Sequence, residues 1–393
     1  MQNKIGVISL YYKNYNYGGL LQAYALICAL NNIGVNAKQI SYDRSKETKV
    51  FSDEKDFSQL QKLRRKVQEI FLIKFPNYIF KKMHWSDVER SVAGIEQRNL
   101  VMDKFASSIP HTKVYDFHDI YEVNTEFNGF ICGSDQIWNP SYLRDSYFLT
   151  FVEEGKPKIA YAASIGRDHL EQDEFDYIMG RIGDFTAISV RETAASRMLG
   201  ESALRPIHVV LDPTLLLSRD EWNQVAEKYH VQDKYVFAYF LGDDVRQREA
   251  AIRFARIKHM TLVTFPNALG KYRKEDCGFG DLQIYDADPG QFISIIKSAE
   301  YIITDSFHAC VFSTIFQKSF VAFERKMSRK GKNMNSRLYS FLELLGLKGQ
   351  IVDLDDFLNQ LKFPIPCYEN CDDKLAEARI KSYSFLKKSL GVL

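Results

Sequence analysis

The chain has 393 residues, 46% of them hydrophobic, and a formal net charge of +2. That length exceeds what one core usually serves, so two domains are expected. The near-zero charge excludes a nucleic-acid binder that works by bulk electrostatics.

In chain order, "KIGVISLYY" (4–12) reads as a short β-branched strand. It passes through Gly18-Gly19 into "LLQAYALICALNNIG", whose apolar spacing predicts a helix ending near Asn31, Asn32 and Gly34. "VNAKQISY" (35–42) is the next strand, so the chain opens as a parallel β-loop-α-β unit. Strands follow at 127–133, 158–164, 185–190 and 207–213, with helices at 173–183 and 191–200 between them. A polar helix around Trp222 separates this series from a second. There, "KYVFAYFLGD" (234–243), "MTLVTFP", "EYIITDS" and "SFVAFE" (319–324) are strands. "QREAAIRFARIKH", "PGQFISIIKSA" and "FHACVFSTIFQ" are the helices between them. "NMNSRLYSFLELLGL" (333–347) is a further helix, and an amphipathic one closes the chain.

This pattern predicts an α/β protein with two Rossmann-like, doubly wound domains facing across a cleft. The expected boundaries are 1–230, 231–370 and a terminal helix at 371–393 that packs back on the first domain. A basic and aromatic insertion interrupts the first domain at about 50–110. Its core, 61–85, carries seven Lys or Arg against Glu69, interleaved with aromatic and aliphatic residues. Two core-packing helices with a solvated basic face are the preferred reading; peripheral contact with anionic lipid at the inner membrane surface is the other. Cys28, Cys132 and Cys310 sit in apolar patterns as buried thiols do, and Cys367/Cys371 have no second ligand pair near them for zinc. The short apolar start reads as neither signal peptide nor membrane span, so a cytoplasmic protein with reduced thiols and no metal is expected.

Doubly wound sheets bind ligands at the carboxyl ends of their strands. "NYNYGGLLQ" (14–22) offers Tyr17, Gly18 and Gly19 at a helix start but lacks a dinucleotide fingerprint. "CGSDQIWNP" (132–140) places Ser134, Asp135, Gln136, Trp138 and Asn139 at one strand end, a set suited to sugar hydroxyls and C–H faces. In "AISVRET" (187–193), Arg191 puts a planar fork where a carboxylate or phosphate can be gripped. "YIITDSFHAC" (301–310) ends a strand at Asp305 and Ser306 and sets Phe307 and His308 in the first turn of a helix. Backbone N–H groups there favour anions, and an imidazole titrating near ~6.5 can hold or pass a proton. Arg337 begins a helix behind a basic loop containing Arg325, Lys326, Arg329, Lys330 and Lys332.

Together "NYNYGGLLQAYAL", "GSDQIWNP", "YAASIG", "SVRE", "LDPT", "DPGQFISIIKSAEYIITDSFHACVFSTIF" and "NSR" resemble the polysaccharide pyruvyl transferase family, in family order from about residue 5 to about 345. The combination of G-S-D-Q-x-W with T-D-S-F-H is the specific part; Ala309 departs from the glycine common at that position. The resemblance implies a GT-B-like fold and transfer of a pyruvyl group from phosphoenolpyruvate to two sugar hydroxyls, giving a cyclic ketal and phosphate. It implies a sugar or lipid-linked oligosaccharide acceptor in surface-polysaccharide synthesis (exopolysaccharide or capsule), with no nucleic acid and no cofactor beyond phosphoenolpyruvate as substrate. It also implies donor handling by His308 and Arg191. On this reading Arg191, Ser306, Phe307, His308 and Arg337 hold the donor, and His308 and Asp305 are catalytic. Asp135, Gln136, Trp138, Asn139, Ser134, Gly18, Gly19 and Tyr17 then hold the acceptor. The alternatives are a nucleotide-sugar glycosyltransferase of the same architecture and a non-catalytic glycan-binding protein.

Overall fold

A computed structural model describes residues 4–51, 85–325 and 335–392. Segment 61–84 and Lys326, Arg329, Lys330 and Lys332 lie outside them. Among the described residues, two all-parallel sheets carry the fold. The first runs β3-β2-β1-β4-β5-β6-β7 and the second β10-β9-β8-β11-β12. The first comprises β1 (Lys4–Ile8), β2 (Asn36–Tyr42), β3 (His111–Tyr115), β4 (Gly129–Cys132), β5 (Lys158–Ala163), β6 (Ala187–Val190) and β7 (Ile207–Val209). The second comprises β8 (Tyr235–Tyr239), β9 (Thr261–Thr264), β10 (Leu282–Gln283), β11 (Tyr301–Thr304) and β12 (Ser319–Ala322). The strand order reverses between β1 and β4 and between β8 and β11, and crevices for ligands open at such switch points. The central strands β4 and β8 are buried along their whole length, as helices on both faces require.

The helices are α1 (Tyr17–Asn32), α2 (Trp85–Ser108), α3 (Gln172–Ile182), α4 (Thr193–Gly200), α5 (Arg219–Val225), α6 (Val245–Lys258), α7 (Pro289–Ser298), α8 (Phe307–Ile315), α9 (Ser336–Leu345), α10 (Leu354–Gln360) and α11 (Cys371–Leu390). One apolar cluster spans both sheets, so the two halves share a core. Tyr17 sits at its centre, stacked on Phe292 at 4.6 Å, and Trp222 packs edge-on against Phe312 at 4.9 Å. Helix α11 returns to the first sheet's territory: Arg379 donates to the carbonyls of Leu215 (2.6 Å) and Leu217 (2.7 Å). The Ser382 hydroxyl accepts from the Leu211 N–H at 3.0 Å. These contacts tie the segment after β7 to α11.

Candidate active site

The loop after β4 turns sharply. Gly133 has φ +125°, and a Cβ there would lie 2.1 Å from the Tyr161 carbonyl oxygen, so only glycine fits. The turn seats Ser134 deep in the fold, its N–H donating to Gln22 Oε1 (3.2 Å) and its hydroxyl to the Ala162 carbonyl (3.0 Å). Asp135 follows in the left-handed region, φ 63°, which a short polar side chain tolerates. Its Oδ1 lies 3.3 Å from Arg191 Nη2 and 3.9 Å from Arg337 Nη1.

Arg191, at the end of β6, is wholly enclosed. Its Nη1 donates to Asp212 Oδ2 at 2.6 Å, and its Nε is buried without a partner among the described residues. Burial alone would lower its pKa, but Asp212, Asp135 and Glu192 outweigh that and raise it. The Phe307 ring lies 4.7 Å from the Arg191 guanidinium carbon and 5.8 Å from that of Arg337, a face for two cations. Glu192 accepts from the N–H groups of Ile165 and Gly166 (2.8 Å each) and from the Ser164 hydroxyl (3.1 Å), which fixes the β5 loop.

Arg337 differs from Arg191. It is 6% exposed, makes no hydrogen bond among the described residues, and finds its nearest carboxylate oxygen at 3.9 Å. Burial first, then repulsion from Arg191 and Arg325, pushes its pKa down to about 10 despite Asp135 and Glu192. A buried cation so poorly compensated costs the fold stability.

His308 lies in the first turn of α8, whose N-cap Ser306 accepts from the Ala309 N–H at 3.4 Å. Its ring rests on the first turn of α1, where a Cβ on Gly18 would lie 1.9 Å from His308 Nδ1. That turn is capped by Asn16, whose Oδ1 accepts from the Gly18 N–H at 2.9 Å. Two helix N-termini, one from each sheet's half, therefore converge on one imidazole, and both favour negative charge. His308 Nε2 is buried without a hydrogen-bond partner among the described residues and sits 3.7 Å from Asp212 Oδ2, a charge contact rather than a bond.

Asp212 links the set. Its carboxylate meets Arg191 and His308, accepts from the Thr214 N–H (3.0 Å) and hydroxyl (2.6 Å), and lies 3.4 Å from the Ser134 hydroxyl. Burial raises its pKa, but His308, Arg191 and Thr214 together hold it well below the usual carboxylate range. The "LDPT" motif contains this aspartate, but sequence reading left it out of the site. The signal was present: a carboxylate at a strand's carboxyl end, the same address that singled out Arg191 and Asp305.

Three expected contacts change role. Trp138 is fully buried, stacked on Phe148 at 5.6 Å, with its N–H on the Tyr147 carbonyl at 3.4 Å. It belongs to the first domain's core and presents no face to a sugar. Tyr17 is also fully buried, its hydroxyl donating to the Ala287 carbonyl at 2.7 Å; it joins the two domains. Asp305 spends both oxygens internally, on the N–H groups of Leu241 and Gly242 (2.7 Å each) and on Arg325 Nε (3.3 Å). It ties the β8 and β11 loops together at their switch point, so it positions the α8 start and touches no open space. Gly18 backs His308 rather than facing open space, and Gly19 backs Asn14. Asn139 is buried and donates to Gln136 Oε1 at 2.9 Å, while Gln136 and Asp135 remain partly open to the cleft.

A family model described as Polysaccharide pyruvyl transferase matches residues 16–326. No curated protein sequence matches the chain. Among solved structures, a Listeria monocytogenes protein assigned provisionally as a UDP-N-acetylglucosamine 2-epimerase is similar at 13% identity and TM-score 0.53, covering 99% of this chain and 96% of that one. Arabidopsis thaliana UGT89C1 complexed with UDP-L-rhamnose is similar at 11% identity and TM-score 0.49, covering 100% of this chain and 99% of that one. The first of these likenesses shows the fold, two α/β domains of GT-B type, and nothing of the chemistry.

Proposed function

The chain belongs to the polysaccharide pyruvyl transferase family, and from that membership we propose that it moves a pyruvyl group from phosphoenolpyruvate to two hydroxyls of one acceptor sugar. The product is a cyclic ketal on a surface polysaccharide or its lipid-linked precursor, and phosphate leaves. The observation that carries this reading is Arg337, a buried cation held beside Arg191 and the α8 N-terminus with no carboxylate in hydrogen-bonding range among the described residues. Phosphoenolpyruvate brings a carboxylate and a phosphate on one carbon, the dense anion such a place accepts.

The reaction adds a proton to the donor's methylene carbon. One sugar hydroxyl adds to the central carbon and gives up its proton. Phosphate departs with its bonding pair, and the second hydroxyl closes the ring with loss of its proton. Arg337 and the helix N–H groups stabilise the phosphate as it gains charge. His308 Nε2, unpaired and facing Asp212, is the group free to carry a proton or hold the departing phosphate. Asp212 stabilises positive charge on that ring, and Arg191 is a fixed post between Asp212 and Asp135. Asp135 and Gln136 remain the acceptor-facing groups. Membrane contact through 61–85 concerns a segment that, Trp85 apart, lies outside the described residues; among the described residues no helix is long and apolar enough to cross a membrane.

Phosphate release from phosphoenolpyruvate, measured over a panel of lipid-linked and free sugars, tests the reading. His308→Ala is expected to lose at least about a hundredfold in turnover. Thermal stabilisation by nucleotide sugars with none by phosphoenolpyruvate would instead favour a glycosyltransferase. Gly18→Ala offers a sharper check, because its methyl would displace the imidazole while leaving α1 helical. Turnover should fall roughly a hundredfold with the melting temperature changed by only a few degrees.

A further inference from the structure

A cavity of about 470 Å³ opens between β7, α9 and α11, and its inner end is formed by Arg191, Asp212 and Phe307. Its walls are apolar: Leu211 and Leu215 after β7, Phe341 and Leu344 from α9. It shares Val209, Val210 and Lys381 with a second cavity of about 640 Å³, which continues past Ile380 and Phe385 to Lys388. The two make one trough running from Arg191, Asp212 and Phe307 to open surface. Val209 and Leu344 stand 47% exposed along it and Ile380 70%, so apolar side chains are left facing water with nothing over them.

The rim is basic at regular intervals. Lys374, Lys381 and Lys388 lie seven residues apart on α11, two turns each, and so share one side of the helix. Glu377 is held by Lys381 at 2.7 Å and Glu343 by Lys348 at 2.6 Å. Lys374 and Lys388 have no ion pair among the described residues. From residue 374 to 388 the helix rises about 21 Å, far more than one sugar needs. A free sugar also has no use for an apolar floor.

We propose that this trough is the carrier subsite of the acceptor, and that it takes a saccharide joined through phosphate to a hydrocarbon chain. The inference rests on the pyruvyl-transfer reading of the adjoining site. The hydrocarbon lies on Val209, Leu344 and Ile380, the phosphate meets the α11 lysines, and the saccharide reaches inward to Arg191 and Phe307.

Farnesyl diphosphate, farnesol and pyrophosphate are the probes for equilibrium titration of the whole chain. The wild type should bind farnesyl diphosphate at least tenfold tighter than either pyrophosphate or farnesol. The double variant Val209→Gln/Leu344→Gln, at half-exposed positions, should lose about tenfold in affinity for farnesyl diphosphate and none for pyrophosphate. Lys374→Glu/Lys388→Glu should weaken farnesyl diphosphate at least fivefold and leave farnesol unchanged. Equal binding of farnesyl diphosphate and pyrophosphate by the wild type, or full affinity in both double variants, overturns the proposal. Thermal stabilisation by phosphoenolpyruvate, read on the same proteins, should be the same in wild type and variants. Its absence from all of them, with the farnesyl diphosphate pattern intact, would sink the pyruvyl-transfer reading and leave the subsite standing.

Discussion

Asp212→Ala is expected to lose about 3–5 kcal/mol of stability and essentially all turnover, because it strands a buried guanidinium. The carboxylate is wholly buried, 2.6 Å from Arg191 Nη1 and 3.7 Å from His308 Nε2. Without it Arg191 keeps, among the described residues, Asp135 at 3.3 Å, with its Nε already unpaired there. Denaturant melts would read the loss as a lower midpoint at unchanged slope. Asp212→Asn separates the two roles. It keeps the shape and the Thr214 contacts but removes the charge, so its stability loss should be smaller while turnover still collapses. A variant that melts near wild type and turns over normally would remove Asp212 from the mechanism. The acid limb gives a third reading. Asp212's folded pKa is depressed, so the stability its ionisation contributes is fully present above the unfolded carboxylate value of about 3.9. It drains away as pH falls from there through the folded value. Asp212→Asn should therefore flatten the fall in stability below about pH 4.

The architecture was readable because parallel strands buried on both faces leave continuous apolar runs, as in "YVFAY" and "YIIT". What escaped was the edge and the polar helix. Strand β3, "HTKVY", is half polar because one side of it meets water, and β10 is two residues long. Helix α2 carries too few apolar residues over its 24 to announce itself. Its wholly buried Arg98, which donates to the Pro266 and Asn267 carbonyls at 2.9 and 3.0 Å, anchors it to the second half in a way no local pattern encodes. The site was legible as addresses at strand ends, not as orientations. Trp138 and Asp135 are three residues apart, yet one points into a core and the other into the cleft. The turn imposed by Gly133 and the left-handed Asp135 decides that. Asp212 and His308 are 96 residues apart in sequence by their numbers, and only the docking of the two halves reveals the contact.

Arg337→Met is expected to make the empty protein more stable while abolishing stabilisation by phosphoenolpyruvate. A guanidinium depressed from 12.5 to about 10 sits in an environment unfavourable by roughly 3 kcal/mol, at about 1.36 kcal/mol per unit. Methionine retains a flexible apolar stem against Phe307 and brings no charge, so a net gain of about 1–3 kcal/mol should appear in denaturant melts. The sign follows from the direction of the shift. A base whose folded pKa is lowered penalises the fold wherever it is charged, which is everywhere below the folded value. The gain should therefore be flat from pH 6 to 9, unlike the acid-limb effect of Asp212. The wild type recovers the penalty when an anion arrives, so millimolar phosphoenolpyruvate should raise its melting temperature and leave that of Arg337→Met unmoved. If the variant is instead destabilised by more than about 1 kcal/mol, Arg337 is a structural group, and the observation that carries the donor site falls with it. On the proposed reading, the stability given up at this one buried arginine is what the donor's charge restores on binding.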